Sequence, residues 1–514
     1  MDDTPAAPRP ADDASIDSVR ASEMGTALRN GIKMGGSLIV TWTVAIIVKL
    51  HVPAILGPVL QGHFGFAESF ASMFFAVLGL GIDTHLMKEV SVRPKYASNV
   101  VGGVMALRTL MSLALFVAMA LVLRLTGRSW EILLTVMVFG AANYLMAFNA
   151  TLGAVLQAVS RVEPAVIANI VTKGVWGIGL LVGLHYHASL AVLALPALIG
   201  EALRAAIMVP STTSGAGLRY RIDVPHVKEA LVASVPYFVN ALALGVLSSL
   251  GMTVLEYIKK DERELGWFGA VQNVASLCML LSPLLFWVVM PLLSRANARS
   301  EEEGLAVFRR CLEGLVVVIV PATVLLSAGS DVFIRLAFGP KFAPAQTGLS
   351  ILSLVFAMTY MNTMLALTLI VRGRGWAVTV ISVSAVFITA TLMLVLVPLG
   401  RHFIGEGGEC AGAAMSVIGS EACVLTAMLT RFESFPLDAR NVRVFSTAVA
   451  IAAAVLVLDR RLHPLGPSRL VIDAVFYVTL AFALRVVRIS DIQHVFRLLR
   501  HRGEVPVAPA HAEG

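Results

Sequence analysis

The chain has 514 residues, 57% hydrophobic and 14% charged, with a mean hydropathy of +0.81 and a formal net charge of +7. Soluble globular chains carry roughly 25% charged residues, and a chain of this size cannot build a core large enough to hide so much apolar surface. A soluble enzyme, a nucleic-acid binder and a secreted disulfide scaffold are excluded; the surplus of Lys and Arg is what the cytoplasmic loops of a membrane protein carry.

Residues 1–22 are rich in Asp, Ala, Pro and Ser and lack the charged start and apolar core of a signal peptide. They read as an unstructured cytoplasmic tail. Fourteen apolar stretches follow, at 34–55, 66–87, 98–123, 131–158, 164–184, 188–210, 230–256, 266–293, 308–331, 345–371, 376–399, 409–431, 442–459 and 468–488. Most reach the ~20 residues needed to cross a hydrocarbon layer ~30 Å thick. The predicted fold is an all-α polytopic membrane protein of about fourteen transmembrane helices.

The polar segment 211–229, STTSGAGLRYRIDVPHVKE, divides an N-lobe of six helices (23–210) from a C-lobe of six (230–431). Helices 13 and 14 occupy 432–488, and 489–514 forms a cytoplasmic tail. Within the tail, IQHVFRLLRHR is basic and amphipathic; it suits an anionic inner leaflet or a solvated helix. An even number of spans puts both termini on one side. With that side cytoplasmic, 25 of the 40 Lys and Arg lie in cytoplasmic segments or at the cytoplasmic ends of spans and 11 in or beside external loops, as the positive-inside rule requires.

Gly65-Phe66-Ala67 opens the second span, and Gly266-Trp267-Phe268 opens the eighth. A period of six helices is that of parallel repeats about an axis along the membrane normal; chance likeness between apolar segments is the rival reading. The four cysteines show no C-x-x-C spacing, so neither a metal site nor a disulfide framework is expected.

Ionisable residues inside spans are costly and point to function. Lys49, Arg108 and Lys173 lie deep in the first, third and fifth spans, with no carboxylate at comparable depth. A water-filled cavity with positive walls accounts for them, against the alternative of snorkelling or pairing. Arg204 has Glu201 one turn away and reads as an ion pair, while Asp83 and Glu256 fall near span ends and are expected to reach the interface. Asn143, Asn149 and Gln157 in the fourth span, with Asn240, Gln272, Asn273 and Asn362 beyond the linker, could bind sugar hydroxyls or bridge helices. The candidate substrate-binding set is Lys49, Arg108, Lys173 and Asn143, with Arg204, Asn149, Gln157 and Gln272 as further members.

Three segments carry a family resemblance: LGPVLQGHFGFAESFASMFFAVLGLGIDTHLMKEVSVRP (56–94), FGPKFAPAQTGLSILSLVFAMTYMNTMLALTLIVRGRGWAVTVIS (338–382) and GGECAGAAMSVIGSEACVL (407–425). In order along the chain, they resemble the polysaccharide transporter family, the Wzx-type oligosaccharide flippases of the MOP flippase superfamily. The resemblance implies two six-helix lobes around a central cavity, with two further C-terminal helices. It also implies an anionic cargo, an oligosaccharide linked through pyrophosphate to a polyprenyl lipid, carried across a bacterial inner membrane by alternating access. Polysaccharide-assembly proteins are the implied partners.

Gly79, Gly81, Gly412, Ala413 and Ala414 are expected to let helices approach closely. No nucleophile–base pair, metal motif or phosphate-binding glycine loop is present, so neither an enzyme nor a cofactor is expected, and any coupling ion stays unspecified. The alternatives are a cation-coupled drug exporter of the same superfamily, a membrane glycan polymerase or ligase, and a structural role in envelope assembly.

Overall fold

The computed structural model describes residues 11–93, 95–215, 217–279, 282–433, 435–484 and Val486, and every regular element among them is helical. Eleven stretches are long and apolar enough to cross a membrane; two of them, Gly35–Gly79 and Ala439–Ala483, are long enough to cross twice. The eighth predicted span is divided between two shorter helices.

The first lobe comprises α1 (Ala11–Phe75), α2 (Ile82–Val92), α3 (Tyr96–Leu125), α4 (Trp130–Ala158), α5 (Glu163–His185) and α6 (Leu190–Pro210). α7 (Val224–Ile258) leads to α8 (Glu262–Cys278), α9 (Ser282–Arg299), α10 (Glu301–Ala328) and the short α11 (Ser330–Phe338). α12 (Ala345–Val371), α13 (Gly375–Ile404) and α14 (Gly408–Leu429) complete the second lobe, and α15 (Ala439–Leu462) and α16 (Arg469–Ala483) follow as a pair. The two arms of α1 join at Gly57, between Pro53 and Pro58; its φ of 74° and ψ of 170° lie outside any helix. We call the end of the bundle at Gly57 the far face, and the opposite end, where α6 passes to α7, the near face.

Several boundaries differ from the sequence reading. α1 starts at Ala11, inside the stretch read as an unstructured tail. The π-helical turn Ser211–Gly215 prolongs α6, and α7 begins at Val224, so the linker shrinks from both ends. The second span is broken: the arm of α1 ends at Phe75, a 3-10 turn covers Ala76–Gly79, and α2 starts only at Ile82. Between them Leu80 and Gly81 are left-handed, with φ of 51° and 63°. Gly81 is therefore required by this turn, and Gly79, which has open space around it, makes no close approach. At Gly412 the expected approach is real, since a Cβ there would stand 2.2 Å from the Leu396 carbonyl oxygen. The basic tail segment IQHVFRLLRHR lies outside the described residues.

α1 packs on α4 and α5, and α12 packs on α10 and α14. α7 belongs to both lobes: Val227 and Gly245 lie against Gly103 and Ala76 of the first, while α13 covers it from the second.

Matched contacts agree with an internal duplication. Asn149 on α4 donates to Glu201 on α6, and Asn362 on α12 donates to Glu421 on α14. The glutamates sit in the similar runs Gly200-Glu201-Ala202 and Ser420-Glu421-Ala422. The glycine repeat is real but its register moves: Gly62-His63-Phe64-Gly65 matches Gly266-Trp267-Phe268-Gly269, so Gly62, rather than Gly65, is the counterpart of Gly266.

Candidate functional site

Arg108 leaves the candidate substrate set. Its side chain is 1% exposed and closes the break in the second span. Nε donates to the Leu78 carbonyl at 2.7 Å, and Nη2 to that of Gly79 at 2.9 Å. Nη1 donates to the Ala147 carbonyl at 2.6 Å and also to Thr151, while Asp83 stands 3.3 Å from Nη2. A helix interrupted within the membrane exposes carbonyls that water cannot reach, and here a guanidinium satisfies them. Asp83 is thus the carboxylate that the sequence reading did not find, because α2 turns inward instead of continuing to the surface.

The amides also act mainly between helices. Asn149 is fully buried and bound to Glu201, whose carboxylate lies 3.6 Å from Arg204 as expected. Gln272 on α8 donates to the Ser248 carbonyl of α7 at 2.9 Å. Asn143 donates within its own helix to the Phe139 carbonyl at 3.0 Å and across to Ser72 at 3.4 Å. Gln157 is exposed at the end of α4.

Those lysines do come together. Lys49, on the first arm of α1, reaches across to the second lobe and donates to Ser276 Oγ of α8 at 2.6 Å. Lys173, on α5, and Glu68, on the second arm of α1, are both within electrostatic reach of Lys49. Lys173 also lies over the Trp176 ring, 5.1 Å from its centre. By helical rise, Lys49, Glu68 and Lys173 sit ~12, ~16 and ~18 Å from the far ends of their helices, around mid-membrane. Two ammonium groups and one carboxylate leave this part of the seam between lobes net positive. Glu68 was missed because the span was taken to begin at Phe66. The arm in fact starts just after Gly57, which carries Glu68 three turns inward.

Towards the far face the seam is tightly shut. A Cβ on Gly266 would fall 1.7 Å from the Pro58 carbonyl oxygen, and one on Gly62 would fall 2.9 Å from the Gly266 nitrogen. The second arm of α1 also meets α11 and the 3-10 turn Pro340–Phe342. Beside these contacts Arg128, on the α3–α4 turn, pairs with Glu256 of α7, which Lys259 also meets at 3.0 Å. The Arg128 guanidinium lies 5.7 Å from the Phe66 ring centre and 5.3 Å from that of Tyr257, one ring from each lobe. Glu256 is therefore fully buried in an ion-pair network rather than placed at an interface. Gln61 is 4% exposed here, with its Oε1 unpartnered among the described residues.

Two lobes duplicated in parallel, with charged groups along their seam, form the frame in which comparison with known proteins becomes informative. The profile of the family described as "Polysaccharide biosynthesis protein" matches residues 27–297, over half of the chain. The chain belongs to this family. Among curated proteins no sequence match was found. The family fold is shared with a structure described as "Lipid II flippase MurJ, inward closed conformation": TM-score 0.64 and 13% identity, over 92% of this chain and 100% of that one. A mutant of the Vibrio cholerae MATE transporter VcmN matches with TM-score 0.53 and 16% identity, over 80% of this chain and 98% of that one. An inward-facing multidrug resistance MATE transporter of the MOP superfamily gives 0.55 and 14%, over 77% and 94%. At such identities the likeness is one of fold.

Proposed function

We propose that this chain is a flippase, carrying a polyprenyl-pyrophosphate-linked oligosaccharide from the cytoplasmic to the external leaflet of a bacterial inner membrane for envelope polysaccharide synthesis. One observation carries the reading. Lys49 and Lys173, two cations at mid-membrane depth without a salt-bridge partner among the described residues, sit beside the seam between two lobes. A pyrophosphate presents several acceptor oxygens and its own negative charge, which ammonium groups bind through charge-assisted hydrogen bonds. Family membership and the shared fold with a lipid II flippase support a lipid-linked cargo. In this reading the near face is cytoplasmic and the far face external, an orientation that the distribution of Lys and Arg supports. Rocking of the lobes would open the glycine-lined far end and release the head group outward.

The MATE-like fold favours a second reading, export of cationic drugs. Such a cargo calls for a surplus of carboxylates, and the seam carries the opposite sign. Purified protein in vesicles should move a fluorescent polyprenyl-pyrophosphate oligosaccharide between leaflets, without glycosyl transfer. Equal movement of a lipid-linked sugar lacking pyrophosphate, or export of a quaternary ammonium dye instead, would refute the proposal.

A further inference from the structure

The two lobes match closely enough for a difference between them to carry meaning. In each, an asparagine gives its Nδ2 both to the backbone carbonyl and to the carboxylate of the facing glutamate. The distances are 2.9 and 2.8 Å to Glu201, and 3.0 and 2.5 Å to Glu421. In each, the asparagine Oδ1 is buried without a partner among the described residues. One turn beyond Glu201 stands Arg204, its guanidinium 3.6 Å from the carboxylate. One turn beyond Glu421 stands Val424.

The remaining partner of Glu421 is the Thr359 hydroxyl, a neutral donor. α14 packs against α7, α8, α12 and α13. α12 carries no Asp, Glu, Lys, Arg or His, and its one titratable side chain is Tyr360. On the other three helices the charged groups sit at the ends: His226, Lys228, Glu229 and Glu256 on α7; Glu262, Arg263 and Glu264 on α8; Arg401 and His402 on α13; the further titratable residues are Tyr237 and Tyr257 on α7 and Cys278 on α8. α14 itself adds Glu409 and Cys410 at its start and Cys423 two residues beyond Glu421. Glu421 thus lies within the membrane with no cation to balance it among the described residues. A carboxylate held there by neutral donors is costly to ionise, and a bound proton removes that cost.

We infer that Glu421 takes up and releases a proton as the lobes move, and that Glu201, balanced by Arg204, is its fixed-charge copy. Water reaching the α12–α14 contact would accept the proton from the carboxylic acid, leaving the anion held by Asn362 and Thr359. The return motion, closing the contact, would require water to hand a proton back. Use of this exchange in a transport cycle rests on the flippase reading; the exchange itself does not.

The test is infrared difference spectroscopy of the full chain in lipid nanodiscs, following the carbonyl stretch of protonated carboxylic acids as pH is raised. The measurements are made in a Glu264→Gln, Asp473→Asn background, which removes two other carboxyls held away from water; this protein should show a band that disappears on going alkaline. Glu421→Gln should abolish it, and Glu201→Gln should leave it in place. Val424→Arg recreates the first lobe's arrangement around an intact Glu421 and should also abolish the band, which covers the case in which Glu421→Gln does not fold. A band that survives both Glu421→Gln and Val424→Arg overturns the inference, as does one removed by sodium at constant pH. Transport of the fluorescent lipid-linked oligosaccharide is scored separately. A wild type with the band but no transport upholds the proton site and sinks the flippase reading.

Discussion

Arg108 and Asp83 meet at 3.3 Å behind the left-handed turn at Leu80–Gly81, the point at which the second span breaks. Removing the guanidinium strands the Leu78, Gly79 and Ala147 carbonyls, and a buried acceptor left unpaired costs about 1–3 kcal/mol. Arg108→Ala should therefore unfold at markedly lower temperature in a thermal melt of purified protein. Arg108→Lys should recover little, because one ammonium cannot reproduce a planar fork serving several acceptors. Near-wild-type melting of Arg108→Ala would return this residue to the substrate-contacting set.

Lys49 and Lys173 should behave differently, lowering function with little effect on melting. Each truncation to Ala removes a charge-assisted contact worth about 1.5–3 kcal/mol, or one to two decades of affinity. Their effects should be less than additive because both act on one group. Glu68→Gln, which removes the competing carboxylate, should bind a pyrophosphate lipid more tightly. The measurement is titration of that lipid against each variant, with complementation of a deletion strain in parallel.

The far end of the seam tolerates no added methyl group. Gly266→Ala forces a Cβ onto the Pro58 carbonyl, and overpacking of this kind costs about 1–3 kcal/mol. The strain is relieved by parting the lobes. In a background without native cysteines, Gln61→Cys should react slowly with a water-soluble maleimide, and adding Gly266→Ala should accelerate that reaction. An unchanged rate would mean that the seam stays shut despite the strain.

Glu264 supplies a pH dependence outside the spans. It accepts from the backbone nitrogens of Gly407 at 2.7 Å and Cys410 at 2.9 Å, and burial pushes its carboxyl up to about 7 from an ordinary 4.5. Between those two values the folded chain holds a proton that the unfolded chain has lost. Its stabilising contribution is complete below pH 4.5 and fades as pH rises towards about 7. Glu264→Gln should flatten that part of the stability–pH curve, as followed by melting temperature across the window.

The spans were legible because lipid demands long apolar helices whatever they pack against. The roles of the charges inside them were not, because those roles depend on where a helix breaks. Arg108 looked unpaired only while the second span was taken as continuous; a break at Ala76–Gly81 brings Asp83 and two carbonyls to it. Glu68 was hidden by a boundary drawn eight residues late, and Glu256 by the assumption that a charge near a helix end meets water. Arg204 was read correctly since its partner lies one turn away on the same helix, where spacing alone decides contact. The Asn–Glu bridges could have been found from the recurring small-residue–Glu–Ala runs on α6 and α14, a signal only three residues long.

Gly62 and Gly266 hold equivalent places in the two repeats, and they touch each other. Two copies of one residue can meet only where the axis relating them passes between, so the far end of the seam lies on the internal twofold. That is the geometry of an isologous interface, in which a surface patch meets its own likeness. A half-length chain assembling as a symmetric dimer would have formed the same closure from a single glycine, and one substitution there would have altered both sides at once. Fusing the halves frees each side to vary alone, and His63 opposite Trp267 shows that it has done so.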